Sequence, residues 1–191
     1  MGGWHTRHLL ESDVATLKGI YDIKPERCAL AEENGIRAYS SYEAVLADPE
    51  VELVTIATPN ELHAPLAIQA LRAGKHVISE KPVTLTVEEL DSVIKVANEC
   101  GRLFTVHQNR RWDEDFLTIK KIYDEGLLGD VFNIESRVHG SRGIPGDWRK
   151  EKIHGGGMML DWGVHIIDQA LQMIPEKIKS VYLSLIHISE P

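Results

Sequence analysis

Cysteine is scarce, positive charge is outnumbered and long apolar runs are missing. The 191 residues hold two cysteines, Cys28 and Cys100, far apart and each within a predicted helix. That argues against a disulfide framework and for buried thiols in a reducing compartment, with the cytoplasm as the expectation. Lys and Arg number 21 against 29 Asp and Glu, a net charge of −8. Nucleic acid is therefore not an expected partner, since neutralising phosphates needs a basic face. No apolar run approaches the roughly 18 residues of a membrane span, so no membrane partner is expected either. There is no H-E-x-x-H and no ordered Cys/His spacing. Asp161, His165, His154 and His139 form a conceivable donor set, but without such spacing no metal is expected.

What is present is a rhythm. With 43% hydrophobic residues the chain can build one good core or two small domains. Short apolar strands are predicted at Ala15–Asp22, Leu53–Pro59, His76–Glu80 and Leu103–His107, with a shorter one near Arg37–Tyr39. Helices are predicted between them at Pro25–Asn34, Tyr42–Ala47, Glu61–Ala73 and Val87–Cys100. Pro25 suits a first helical position, and Gly35, Gly74 and Gly101 each follow a helix as C-terminal caps do. Strands alternating with helices make a parallel sheet, and the runs VTIAT and HVIS are apolar throughout, as expected when both faces are covered. The expected class is α/β, a Rossmann-like doubly wound sheet over residues 1–107. After His107 the rhythm changes: a helix near Asp113–Glu125, an alternating strand Val131–His139, a loop rich in glycine, a helix Met158–Met173 and a last strand near Ile178. This reads as the start of an α+β domain over residues 108–182.

Both ends depart from the pattern. The chain opens on a helix with no strand before it, so Gly2 is read as the last glycine of a G-x-G-x-x-G whose earlier part is absent. The segment Leu183–Pro191, LSLIHISEP, resembles the translation of a sequencing-library adapter and is expected to be a non-native tail. Periodicity also allows an ordinary strand there.

Two constellations carry chemistry. In His76–Pro82, HVISEKP, an apolar strand runs into Glu80-Lys81-Pro82. That places an ammonium at the carboxyl end of a buried strand, where open α/β sheets bind ligands. Packing does not put Lys there, because burying an unpaired ammonium is costly. Pro82 biases Lys81 toward an extended backbone. Such a Lys could hydrogen-bond a substrate hydroxyl and stabilise a developing alkoxide. In the helix Met158–Met173, Asp161, His165, Asp168, Gln169 and Gln172 fall within an arc of roughly 100°. The rest of the wheel is apolar or Gly, so a narrow polar stripe is expected to face a cleft. His165 is expected within reach of Asp161, a pairing that suits a general base. The plainer alternative is an interfacial stripe without chemistry.

Other candidates are weaker alone. Asp22 ends a predicted strand and could accept hydrogen bonds from ribose hydroxyls, or simply cap the next helix. Ile23 rather than Arg follows it, which favours NAD over NADP. Thr58, Pro59, Asn60 and His63 follow another strand and could line a dinucleotide groove, or form a turn beside a surface His. Arg111, within Asn109–Trp112, and Trp148 with Arg149 suit sugar faces and hydroxyls, or a charged connector.

Together, Glu80-Lys81-Pro82, ATPNELH at Ala57–His63 and GGGMMLDWGVH at Gly155–His165 resemble the Gfo/Idh/MocA oxidoreductases. The match runs in order from Gly2 to about Tyr182. The resemblance implies a Rossmann domain followed by a domain with a mostly antiparallel sheet, and dimers or tetramers formed through that sheet. It implies Lys81 near the nicotinamide, often with a cis bond to Pro82, Asp161 as substrate orienter and His165 as acid/base. The implied activity is hydride transfer between NAD and a sugar, polyol or glycoside hydroxyl carbon. With the readings above, Gly2, Asp22, Thr58, Pro59, Asn60, His63, Glu80 and Lys81 are the residues expected on the cofactor. The alternatives are an NAD-assisted glycosidase and a non-catalytic dinucleotide-binding regulator.

Overall fold

Three short apolar runs form the centre of the protein, seen here in a computed structural model that describes residues 1–139, 148–174 and 176–184. They are β1 (Leu53–Ile56), β2 (His76–Ser79) and β3 (Phe104–Val106), in the order β1-β2-β3 and all parallel. Leu53 registers with His76 and Ile56 with Ser79; Val77 registers with Phe104 and Ser79 with Val106. The strands end level, so residues 57–60, 80–82 and 107–109 emerge along one edge. The helices are α1 (Gly2–Leu10), α2 (Pro25–Glu33), α3 (Tyr42–Ala47), α4 (His63–Arg72), α5 (Val87–Cys100), α6 (Glu114–Asp124) and α7 (Val164–Met173).

Local chemistry explains the helix limits. Pro25 takes a first helical position in α2. Thr86 and Glu89 form a reciprocal capping box at α5, and Gly101 closes it at φ 61°, a left-handed conformation that only glycine adopts freely. The buried face of α4 repeats at helical spacing: His63, Ala64, Ala67, Ala70 and Leu71. Its small residues bring it close to β1, β2 and α5. Leu71, Ala70 and Val93 are fully buried there, with Val77 beside them.

Two predicted strands are reduced. Ala15–Asp22 and Arg37–Tyr39 meet only at a parallel bridge between Ile20 and Ala38. The approach is tight, since a Cβ on Gly19 would lie 2.6 Å from the Arg37 carbonyl oxygen. That pair does not join the three-stranded sheet, so no ladder extends it. The predicted strands Val131–His139 and near Ile178 are not strands. Alternation makes an amphipathic ribbon possible, but a strand needs a lateral hydrogen-bonding partner. None lies beside them among the described residues, and Phe132 is 99% exposed. Residues 140–147 of the loop Gly140–Gly157 lie outside the described residues, as does the tail beyond 184. No described helix is long and apolar enough to cross a membrane, and Cys28 and Cys100 are free thiols.

Leu71→Ala should lower unfolding free energy by about 2–5 kcal/mol, the usual cost of emptying a filled core site. Thr86→Ala should cost about 1 kcal/mol through the lost cap. Urea unfolding midpoints test both; equal, small shifts would contradict this core assignment.

Candidate active site

The sheet delivers Lys81 directly. Its peptide to Pro82 is cis, as the family resemblance implied. The ammonium donates to the Asp161 backbone oxygen at 2.8 Å and to Asp161 Oδ1 at 2.9 Å. Both side chains are mostly buried, with 15% and 17% of their surfaces exposed. A charge-assisted pair of this kind is short and strong for its class. It ties the end of β2 to the turn before α7. Arg149 Nε lies 3.7 Å from the same Asp161 oxygen.

The expected Asp161–His165 pair does not form. Met159–Gly163 is a wide π-type turn, in which the Val164 N–H donates to the Met159 carbonyl five residues back. The predicted helix over Met158–Met173 therefore becomes regular only at Val164, and the one-turn spacing between Asp161 and His165 is lost. Asp161 turns to Lys81. His165, 5% exposed, instead has Nδ1 3.1 Å from Gln108 Oε1. Burial holds the imidazole pKa down to about 4, with the Lys81 and Arg110 cations adding to the effect and Asp161 and Asp113 opposing it. Thus His165 is neutral at pH 7, and Asp161 does not reverse this.

Glu80 is a brace. Its buried carboxylate accepts from His5 Nε2 at 2.7 Å and His107 Nδ1 at 3.2 Å, while Oε2 faces the Lys81 N–H at 3.3 Å. Burial alone would push this carboxyl up. The hydrogen bonds from His107 and His5 outweigh burial and hold it well below the usual carboxylate range. The cluster fastens α1 to the ends of β2 and β3. Among the described residues it is also the one group of three side chains able to surround a metal ion. Sequence spacing could not show this, because His5, Glu80 and His107 come from three separate segments.

Further groove candidates have protein partners. His63 is buried, with Nδ1 2.7 Å from the Pro82 carbonyl and Nε2 3.0 Å from that of Thr58. Both nitrogens face backbone carbonyls, and the one that carries the proton donates, so His63 sits between the turn after β1 and the loop after β2. Asn60 is buried too, and its Nδ2 donates to the Gly155 carbonyl at 3.2 Å. The Thr58 hydroxyl turns back on the Pro59 carbonyl at 3.3 Å.

Asp22 does not cap α2, whose N-cap is Lys24 with no side-chain bond; it accepts from the Lys24 N–H at 2.9 Å in the turn before the helix and pairs with Arg27 at 2.8 Å. Arg27 was missed because five residues separate it from Asp22 in sequence; the first turn of α2 swings it back. At Gly2 a Cβ would meet nothing within 4 Å, so the protein atoms set no steric demand for glycine there.

A cleft of about 330 Å³ opens beside these groups. Lys81, Thr84, Val106, Gln108 and Arg111 line one side, with Leu160, Val164 and Asp168 on the other. Arg111 is locked to Asp168 by two bonds of 2.8 and 2.6 Å. Arg110 stacks on Trp162 at 4.1 Å. The Trp148 side chain lies outside the described residues.

Residues 1–108 match the oxidoreductase family with an NAD-binding Rossmann fold, GFO_IDH_MocA, and residues 116–190 match the GFO/IDH/MocA C-terminal domain. An uncharacterized oxidoreductase of Schizosaccharomyces pombe, C115.03, is 41% identical over 140 residues, 72% of this chain and 38% of that protein. The scyllo-inositol 2-dehydrogenase (NADP(+)) IolW of Bacillus subtilis is 42% identical over 132 residues, 69% of this chain and 37% of that protein. The crystal structure of an NAD-binding protein from Listeria innocua is 53% identical with a TM-score of 0.88, covering 91% of this chain and 52% of that one. The chain spans less than half the length of these curated relatives. Its NAD-binding Rossmann part, its second-domain match and its relatives place it in one group: the chain belongs to the Gfo/Idh/MocA oxidoreductase family.

Proposed function

We propose that the whole protein moves a hydride between a nicotinamide cofactor and the hydroxyl-bearing carbon of a sugar or polyol. The observation that carries this reading is the pairing of Lys81, which lines the cleft, with Asp161 from a distant stretch of chain, with a neutral His165 close enough for Lys81 to lower its pKa. IolW's name, scyllo-inositol 2-dehydrogenase, supports a polyol substrate.

The residues present fit a dinucleotide. The first turn of α1 carries no acid, and Cβ atoms built on Gly2 and Gly3 meet nothing within 4 Å. Open backbone N–H groups there suit a pyrophosphate. Asp22 would take the adenosine ribose, and the Thr58–Pro59 turn would line the groove. When bound, the nicotinamide supplies the hydride acceptor for oxidation or the donor for reduction.

The chain's own groups supply the rest. Lys81 donates to the reacting oxygen and stabilises alkoxide character. Asp161 holds that ammonium in place and offers its second oxygen to a substrate hydroxyl. His165, already neutral, takes the hydroxyl proton. Arg149 beside Asp161, and Arg111 held by Asp168, would contact the remaining hydroxyls, with Trp148 as a further sugar contact. We favour NAD as cofactor because of Asp22. NADP is the second reading, on the strength of Arg27 beside Asp22 and IolW's NADP(+) in name.

Lys81→Ala in the whole protein should lower kcat at least about 100-fold while NAD binding persists. Retained turnover would end this assignment. In the whole protein kcat/KM with NAD should exceed that with NADP; the reverse order would favour the Arg27 reading.

The His165 shift sets an acid limb. An ordinary histidine charges near 6.5, whereas His165 does so at about 4. Polyol oxidation should therefore hold its kcat/KM on acidification through about pH 6 and fall toward pH 4. The same shift lowers stability as pH falls from about 6.5 toward 4, because the unfolded chain binds the proton first. An acid limb at about 6.5 would contradict the burial argument.

A further inference from the structure

Gln108 occupies a position that no motif marks. It follows β3 at the cleft and reaches α7 with both ends of its amide. Its Nε2 donates to the Val164 carbonyl at 3.4 Å, and its Oε1 lies 3.1 Å from His165 Nδ1. The two contacts determine each other. Turning the amide over would set Oε1 against the Val164 carbonyl, oxygen against oxygen. With Nε2 on that carbonyl, only Oε1 can face the imidazole, and a carbonyl oxygen can only accept. The imidazole must then donate, so its proton sits on Nδ1.

That assignment has a chemical consequence. In a neutral imidazole one nitrogen is a donor and the other an acceptor, and the partner of one decides the role of the other. An isolated imidazole favours the proton on Nε2, which would leave the wrong nitrogen as base. Among the described residues Nε2 of His165 makes no hydrogen bond. We propose, building on the reading of His165 as proton acceptor, that Gln108 is a positioning residue that fixes His165 as the Nδ1–H tautomer and so makes Nε2 the basic atom. A carboxylate in that place would also accept from Nδ1, but it would favour the imidazolium. An amide selects the tautomer without adding charge, beside Lys81 and Arg110, which already disfavour a charged ring. The rule that a general base works through a third group that orients it is met here by an uncharged one.

The test reads the tautomer itself. ¹⁵N NMR of the histidine-labelled whole protein at pH 7, with His165→Asn to assign the signal, should show His165 protonated on Nδ1. Gln108→Leu should move the proton wholly or partly to Nε2, with kcat about 10- to 100-fold lower and KM little changed. Gln108→Glu should keep the Nδ1–H tautomer and most of kcat, while moving the acid limb of kcat/KM to higher pH against Lys81 and Arg110 and in line with Asp161 and Asp113. An Nε2–H proton in the unmodified protein, or an Nδ1–H proton that survives Gln108→Leu, would overturn the assignment. A tautomer switch in Gln108→Leu with unchanged kcat would instead overturn His165 as the base, with the tautomer assignment left standing.

Discussion

The pairing of Lys81 with Asp161 is the contact on which the site depends. A parallel strand ending in Glu80-Lys81-Pro82 exposes an ammonium at the edge of the sheet, with most of its surface buried. Such a charge is tolerated only with a partner, since an unpaired buried ammonium would cost several kcal/mol. Asp161 supplies both a carboxylate oxygen and a backbone oxygen. Two distant stretches of chain are thereby joined at one point, and the cleft forms beside it. The pair adds little net stability, because desolvation offsets most of its attraction. Its value is positional: it sets where a cation stands.

The electrostatics of His165 follow from that placement. Its burial disfavours the charged ring, and Lys81 and Arg110 reinforce the effect. Were Asp161 bonded to the imidazole, as helical spacing suggests, the ring would be drawn toward the charged form. The π-type turn at Met159–Gly163 diverts Asp161 to the ammonium. One irregular turn thus separates two roles, one carboxylate for the cation and one amide, that of Gln108, for the imidazole. Both carboxylates at the edge of the sheet, Glu80 and Asp161, are consumed by cations or histidines.

Around this centre several of the groove candidates have protein partners. Glu80 binds His5 and His107, His63 sits between two carbonyls, and Asn60 binds Gly155. Each joins one sheet-edge loop to another element. A site built on rigid supports holds its groups in fixed geometry, which reactions demanding close alignment require. The same residue types, at the same strand ends, would suit a dinucleotide groove; only their actual partners separate the two uses.

The sequence by itself determined the periodic part of this protein. Apolar runs at β1, β2 and β3, Pro25 at the start of α2, the glycines that follow α2, α4 and α5, and the family signature at Lys81 and Asp161 were all legible, because each depends on neighbours a few residues away. Only the tertiary structure decided the pairing of Lys81 with Asp161, the bond between Gln108 and His165, the Glu80 cluster and the swing of Arg27 onto Asp22. It also decided that Val131–His139 is not a strand, since alternation describes one face of a ribbon and cannot supply the lateral partner that makes it one. The reason is common to all of these: spacing records which residues share a local surface, whereas the partner of a buried charge or polar atom is whichever group folding brings within about 3 Å of it.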